Sequence, residues 1–390
     1  MKPYYDVIIV GAGPAGSIAA RTAAEKGLSV LMLEKDRDVG YPVRCGEAVS
    51  RKGIEEFVPS DPNWIAAEIE SFALIAPNGM EARLNYGESI LVLERRIFDY
   101  HLASNAADAG AMVLTRSYVN GLIIENGVVC GVTYQRAGSQ HSVRCKTVIA
   151  ADGVESRVGR WAGIRTHSSF RDMESAVQVT ASNIKIDQDT LYFYFGREVA
   201  PEGYLWVFPK GGNRANIGLG VSGTIGKKKS ALSYLNDFMK SHFPDAAILT
   251  QVAGGVPCDL TLPQISGPGI LIAGDAARHV NPLSGGGIVS GMIAGKVAAE
   301  ITAEAIQSDN LTHLLDYDKA WHNRLGKRHE IYNKLKEGIY DFSDDIFNSL
   351  ALTVNKIPME KRTLGKIFAH AFVNRPSLIL EAAKIFTSLY

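Results

Sequence analysis

The sequence predicts an α/β fold: a Rossmann-like dinucleotide-binding domain, an antiparallel β-sheet inserted into it, and a C-terminal helical region. Three observations carry this expectation. The chain opens on an apolar strand, a glycine-rich turn and an alanine-rich helix. A run of alternating apolar and aromatic strands occupies residues 175–220. From Thr312 to Tyr390 the composition is helical, with few glycines.

The opening unit runs from Tyr5 to Val10 into Gly11-Ala12-Gly13-Pro14-Ala15-Gly16 and a helix through Ala24. Its glycines have separate tasks. Gly11 permits the turn, Gly13 lets backbone approach a pyrophosphate, and Gly16 lets the helix sit close to the strand. The helix start then offers free N–H groups to phosphate. A second strand, Ser29 to Leu33, ends in Glu34, about 20 residues further on, where a carboxylate accepts hydrogen bonds from a ribose.

Composition narrows the class. A chain of 390 residues holds two or three domains, and its 41 basic and 41 acidic residues cancel. With no basic stripe interleaved with aromatics, nucleic acid is not an expected partner. Lys227-Lys228-Lys229 reads as a solvated loop. The four cysteines form no C-x-x-C pair, which argues against zinc, an iron–sulfur cluster or a disulfide framework and for a reducing cytosol. No metal is expected. The N-terminus leaves no room for a signal peptide, and the longest uncharged stretch, His279 to Gly295, holds too much Gly and Pro to span a bilayer. Any membrane contact is therefore peripheral.

Between these landmarks the chain reads in order. Gly40 to Ala48 is a Gly/Pro-punctuated loop carrying Arg44, Cys45 and Glu47. Arg44 suits a phosphate; Cys45 is either reactive or a small buried residue. Residues 69–93 read as strands around the turn Pro77-Asn78-Gly79. A helix follows from Glu94 to Ala109, with Ile97, Phe98, Leu102 and Ala106 on one face and Arg95 at its start, where the helix dipole disfavours a cation unless an anion holds it. Asn126-Gly127 marks a hairpin. The strand Thr147 to Ala151 ends at Asp152-Gly153 before a charged helix, Glu155 to Trp161, placing Asp152 where open α/β sheets hold ligands.

In the alternating region, Tyr192 to Phe195 and Tyr204 to Phe208 are either sheet core or the wall of an apolar pocket. The strand Ile270 to Ala273 leads into Gly274-Asp275, a glycine cluster through Gly287-Ile288, and a small-residue helix to Ile301. A carboxylate for hydroxyls and N–H groups for phosphate meet there, so two nucleotide elements imply a ligand longer than a mononucleotide. The resulting boundaries are 1–70, 94–165 and 250–308 for the nucleotide domain, 71–93 and 166–249 for the substrate sheet, and 309–390 for the helical domain. That last region carries a basic segment, Arg324 to Lys336, suited to a phosphate head group. It ends in apolar stretches, Phe368 to Phe372 and Leu378 to Phe386, compatible with an interfacial helix.

Gly11 to Gly16 with Glu34, Asp152-Gly153, and Gly274-Asp275 with its glycines resemble the three FAD fingerprints of the para-hydroxybenzoate hydroxylase superfamily. Pro42-Val43-Arg44-Cys45-Gly46-Glu47, Asp152 to Gly163, and Tyr204-Leu205-Trp206-Val207-Phe208-Pro209-Lys210 with Gly218-Leu219-Gly220 resemble the geranylgeranyl reductase family, and most its archaeal branch, the digeranylgeranylglycerophospholipid reductases. The resemblance implies that FAD is held by Gly11, Gly13, Ala15, Gly16, Glu34, Arg44, Cys45, Gly46, Ala48, Arg95, Asp152, Asp275, Gly287 and Ile288, with Val119 near the adenine. It implies an isoprenoid tunnel walled by Tyr204, Trp206 and Phe208 beside Gly218 and Gly220.

Such an enzyme saturates geranylgeranyl double bonds, and the acid near the flavin is either Cys45, with Glu47 beside it, or a bound water. The second G-x-G-x-x-G, Gly218 to Gly223, opens no apolar helix and lacks the context of a nicotinamide site. The resemblance, to a superfamily without a separate nicotinamide domain, implies ferredoxin, a reduced deazaflavin or NADPH as electron donor. The rival readings are an FAD monooxygenase or halogenase acting on an aromatic compound, and a non-catalytic isoprenoid carrier.

Overall fold

The computed structural model describes residues 2–373, apart from the side chains of residues 86–88. The end of the apolar tail, Leu378 to Phe386, lies outside the described residues. The chain forms two compact units: residues 1–43, 95–168 and 259–329, and residues 44–94 and 169–258 with the chain from Glu330 onward.

The first unit is built on an eight-stranded sheet. Its parallel centre runs Ile270–Ile272, Ser139–Ala150, Tyr4–Val10, Val30–Leu33, Met112–Leu114. Parallel strands covered on both faces read as continuous apolar runs, and Val7 to Val10 and Val30 to Leu33 are buried without alternation. The hairpin Tyr118–Glu125 and Val128–Arg136 turns at Asn126 and Gly127, both at positive φ, as an Asn-Gly turn requires.

The helix Pro14–Glu25 follows the first strand, and Ile288–Gln307, longer than the sequence suggests, packs against it. Their contact depends on small residues. A Cβ on Gly295 would stand 2.1 Å from the Ala15 carbonyl oxygen, and Gly291 and Gly274 face the Ala15 methyl.

The helix Arg95–Asp108 buries Phe98, Leu102, Ala103 and Ala106, but Ile97 is 46 % exposed. Spacing alone put Ile97 on the apolar face. Asp99 takes the buried position beside Phe98 because its carboxylate is paired, as described below.

The second unit holds the other eight-stranded sheet, in the order Ala247–Pro257, Met173–Ser182, Ala215–Ser222, Tyr204–Pro209, Thr190–Tyr194, Ile65–Ile75, Glu81–Leu93, Ala48–Ser50. It is antiparallel except where Thr190–Tyr194 runs parallel to Ile65–Ile75, a pairing across distant parts of the chain that local alternation does not reveal. One face carries Val177, Val179, Leu205, Val207, Ile217 and Leu219 under Leu235 and Phe238 of the helix Ala231–His242.

Register sets the opposite face. Tyr204 lies across from Gly220, Trp206 from Gly218 and Phe208 from Asn216, and these pair onward with Ala176, Gln178 and Thr180. The aromatic run is therefore divided, with Tyr192 and Tyr194 packed on the helix-covered core and Phe193 on the other face against Phe208 at 5.4 Å.

Among the C-terminal helices, Lys327–Tyr340 contains Lys336, which the sequence reading set within a basic surface segment. Its Nζ is instead buried, donating to the Cys258 carbonyl at 2.6 Å beside Asp172, so its charge is neutralised inside the unit. Phe372 is likewise buried, against Phe342.

Replacing Gly295 by Ala forces the two long helices apart at Ala15 and should lower stability by about 1–3 kcal/mol, the usual cost of overpacking, with flavin-free protein and chemical denaturation as the measurement.

Candidate active site

In the first unit, the glycines of the opening turn separate by what surrounds them. A Cβ on Gly11, at φ +101°, would meet the Ala151 carbonyl oxygen at 2.3 Å, and one on Gly16 would meet Gly11 O at 1.9 Å. These two are fixed by packing. A Cβ on Gly13 would meet nothing within 4 Å, and the helix that Gly13 caps has no side-chain cap, so its start is left with room beside it. That is a cradle for an anion.

Glu34, just past its strand, accepts from Ala12 N at 2.8 Å and Asp36 N at 2.9 Å, one oxygen each, so both oxygens keep a further lone pair.

Arg95 is held by an anion, as its position at a helix start demands, and Asp99 four residues on is one such partner. Two parallel hydrogen bonds, 2.6 and 2.7 Å, join them. Arg95 also lies near Asp275. Burial raises the Asp275 carboxyl above its ordinary range, and Arg95 partly offsets the rise. Asp275 Oδ1 approaches Gly287, where a Cβ would stand only 3.0 Å away, and the helix beginning at Ile288 has no side-chain cap.

Asp152 accepts from Val158 N through Oδ2, while its buried Oδ1 has no partner and burial raises the carboxyl. Ala15 and Val119 are buried in packing, Val119 in the hairpin strand. Two uncapped helix starts, an open glycine and an orphaned carboxylate oxygen together fit a dinucleotide with phosphates and hydroxyls.

In the second unit, the loop from Arg44 to Ala48 lies on the aromatic face. A Cβ on Gly46 would stand 3.0 Å from Phe208 and 3.4 Å from the Trp206 ring nitrogen, so a larger residue there would push the aromatic rings by a few tenths of an ångström. The Cys45 carbonyl accepts from Gln178 Nε2 at 2.9 Å, and Gln178 Oε1 accepts from Trp206 Nε1 at 3.0 Å. Trp206 thus orients the amide that grips the Cys45 backbone. The Cys45 Sγ accepts from Glu47 N at 3.2 Å. Arg44 is exposed, its stem over Gly254.

Glu47, expected beside Cys45 in the chemistry, directs its carboxylate elsewhere. Held at φ +71° and 4 % exposed, it accepts from Lys210 Nζ at 2.6 Å and Asn216 Nδ2 at 2.5 Å. Lys210 also donates to Leu93 O at 2.9 Å and Glu94 at 3.0 Å.

Gly218 lies under Trp206, where a Cβ would be 2.5 Å from the indole, and Gly220, opposite Tyr204, is covered by the Glu174 side chain, 3.6 Å from where a Cβ would stand. Burial raises the Tyr204 hydroxyl well above its ordinary value. Gln178, Asn216 and Lys210 had no assigned role from sequence. The signal was available in part: with period-two alternation, Lys210 continues the Tyr204, Trp206, Phe208 face. The register that adds Gln178 and Asn216 is not visible in the chain.

An uncapped glycine turn on a parallel sheet, a second uncapped helix start beside Asp275, and an aromatic sheet face bearing a cysteine loop define a flavin-dependent oxidoreductase. Comparison with known proteins agrees. Residues 6–202 match the family of FAD dependent oxidoreductases, and residues 172–256 match the geranylgeranyl reductase catalytic domain.

Digeranylgeranylglycerophospholipid reductase 2 of Methanococcoides burtonii is 44 % identical, over 99 % of this chain and 97 % of its own. The corresponding reductase of Methanocella arvoryzae is 43 % identical, over 98 % and 99 %. A solved geranylgeranyl bacteriochlorophyll reductase-like protein from Thermoplasma acidophilum superposes with a TM-score of 0.91 at 36 % identity, covering 99 % of each chain. A flavin-dependent brominase, at TM-score 0.74 and 18 % identity over 98 % of this chain and all of its own, shares the fold alone. The chain belongs to the digeranylgeranylglycerophospholipid reductase family of FAD-dependent oxidoreductases.

Two outcomes follow. Gly13→Ala, which meets no protein atom, should leave the melting temperature of the flavin-free protein unchanged while lowering flavin content on purification. Lys210→Met should destabilise by about 3–5 kcal/mol because it leaves Glu47 buried and unpaired, and adding Glu47→Met should recover much of that loss in denaturant titrations.

Proposed function

We propose that this protein is an FAD-dependent reductase that saturates the double bonds of geranylgeranyl chains, those of digeranylgeranylglycerophospholipids in archaeal membrane lipid synthesis. The observation that carries the reading is the aromatic face: Tyr204, Trp206 and Phe208 in a row on one side of a sheet, with glycines in place of neighbouring side chains and Cys45 tied to it through Gln178. Apolar walls with a few fixed polar groups suit a long unsaturated hydrocarbon.

FAD, when bound and reduced, supplies a hydride from its ring. An isolated trisubstituted alkene accepts hydride poorly because no carbonyl stabilises the negative charge, so the protein must deliver a proton to the other carbon and keep water away. Cys45 is the acid of this reading. Glu47 acts through position, holding the loop by its pairing with Lys210 and Asn216.

FAD is held by the turn Gly11 to Gly16 with Ala15, by Glu34, by Arg44, Cys45, Gly46 and Ala48, by Arg95 and Asp152, by Asp275, Gly287 and Ile288, and near the adenine by Val119. Ferredoxin, a reduced deazaflavin or NADPH supplies the electrons. Contact with membrane is peripheral in this reading; among the described residues no helix is long and apolar enough to cross a bilayer.

The test is anaerobic reduction of the purified flavoprotein by dithionite, addition of a digeranylgeranylglycerol phospholipid, and mass spectrometry of the lipid. Stepwise gain of hydrogen pairs is expected, and Cys45→Ala should slow it by about 10²-fold or more with FAD still bound. A lipid left unchanged while the flavin turns over rapidly with oxygen and an aromatic compound would replace this reading with a monooxygenase.

A further inference from the structure

Every saturated double bond consumes a proton, and a dry apolar face has no water from which to recover it. One buried acid of the second unit is placed to meet this demand. Glu174 is the second residue of the strand Met173–Ser182, on the same face as Gln178 and the row Tyr204, Trp206, Phe208, since Ala176, two residues on, pairs through Gly220 to Tyr204. It is 7 % exposed. The Tyr340 hydroxyl hydrogen-bonds to its Oε1, whereas Oε2 is buried with no hydrogen-bond partner.

That second oxygen leans over Gly220, where a Cβ would stand 3.6 Å from it, towards the strand that carries Tyr204. Tyr204 stands opposite Gly220 and packs edge-on against Trp206, ring centroids 5.9 Å apart, and Trp206 reaches the Cys45 backbone through Gln178.

We infer that Glu174 is the proton reservoir of the aromatic face, passing a proton by way of the Tyr204 hydroxyl to the acid used in reduction and recovering one from solvent by way of Tyr340. The inference rests on the reductase reading above. In the balanced step the Cys45 thiol gives its proton to one alkene carbon, and the other carbon takes the hydride that bound, reduced FAD would supply. Tyr204 gives its hydroxyl proton to the thiolate and accepts the carboxyl proton of Glu174. The Glu174 carboxylate accepts the Tyr340 proton while Tyr340 takes one from water. Only O–H and S–H bonds change in the relay, and the flavin's electron donor provides the two electrons.

The surroundings suit a carboxyl that carries a proton near neutral pH. Burial is the largest influence on Glu174; opposed by the Tyr340 hydrogen bond and Lys336 and assisted by Glu202 and Asp172, it leaves the carboxyl pushed up to about 7. Glu202 reaches the neighbouring strand through Ser222 at 2.5 Å and adds to the rise, while Lys336, which donates to the Cys258 carbonyl and pairs with Asp172 at 3.4 Å, opposes it without reversing it. A raised carboxyl holds its proton below that pH and loses it as pH rises through it.

Glu174→Gln keeps the size of the side chain and the acceptor for Tyr340. Expected are full flavin content, an unchanged KM for the phospholipid, turnover lowered by about tenfold or more, and loss of the decline in rate that the wild type shows above about pH 7. Glu174→Asp should restore part of both. Infrared difference spectra of the flavoprotein without lipid should show a protonated-carboxyl band that disappears through the same pH range and is missing in Glu174→Gln. Wild-type rate and pH profile in Glu174→Gln, or a carboxyl ionised across the range, overturns the inference alone. Wild-type protein that leaves the lipid unreduced while the band still titrates overturns the reductase reading, and this role for Glu174 with it.

Discussion

The buried pairing of Lys210 with Glu47 is the constraint on which the second unit's site depends. Two charged groups, each about 4 % exposed, meet at 2.6 Å, and Asn216 and the Leu93 carbonyl take up further hydrogen-bonding capacity. Burying either charge alone is strongly unfavourable. The pair therefore fixes two segments of chain that are 163 residues apart, the strand end at Lys210 and the loop of Cys45. Glu47 is held at positive φ, where a non-glycine residue persists only if its surroundings require it. The Gln178 and Trp206 hydrogen bonds then set the height of the Cys45 carbonyl above the sheet.

The same physics separates glycines that pack from glycines that leave room. Gly11, Gly16 and Gly295 each have backbone within about 2.3 Å of where a Cβ would be, so their absence of a side chain is used up by the fold. Gly13 has nothing near it, and Gly220 has only the Glu174 side chain at ordinary contact distance. Space beside a free helix start favours anions; space beside aromatic rings and an acid favours an apolar ligand whose chemistry needs a proton.

Much of this was legible in the chain. The opening turn, Glu34, Asp152, Asp275 and the Tyr204 to Phe208 alternation are local features whose spacing alone sets their geometry. Ile97 and Lys336 were misplaced for a common reason. Periodicity counts polarity and cannot see a partner, so it missed that Asp99 is buried against Arg95 and that Lys336 is buried against a carbonyl.

By itself the sequence determined the two glycine-rich strand-to-helix turns, the order of the strands along the chain and which alternate residues share a face, because these follow from short-range backbone geometry. Only the tertiary structure decided which strands become neighbours, that Thr190–Tyr194 runs parallel to Ile65–Ile75, and that Glu174, Gln178, Asn216 and Lys210 join the aromatic row. Strand register is settled by pairing between distant segments, and a buried polar group finds its partner only when those segments meet.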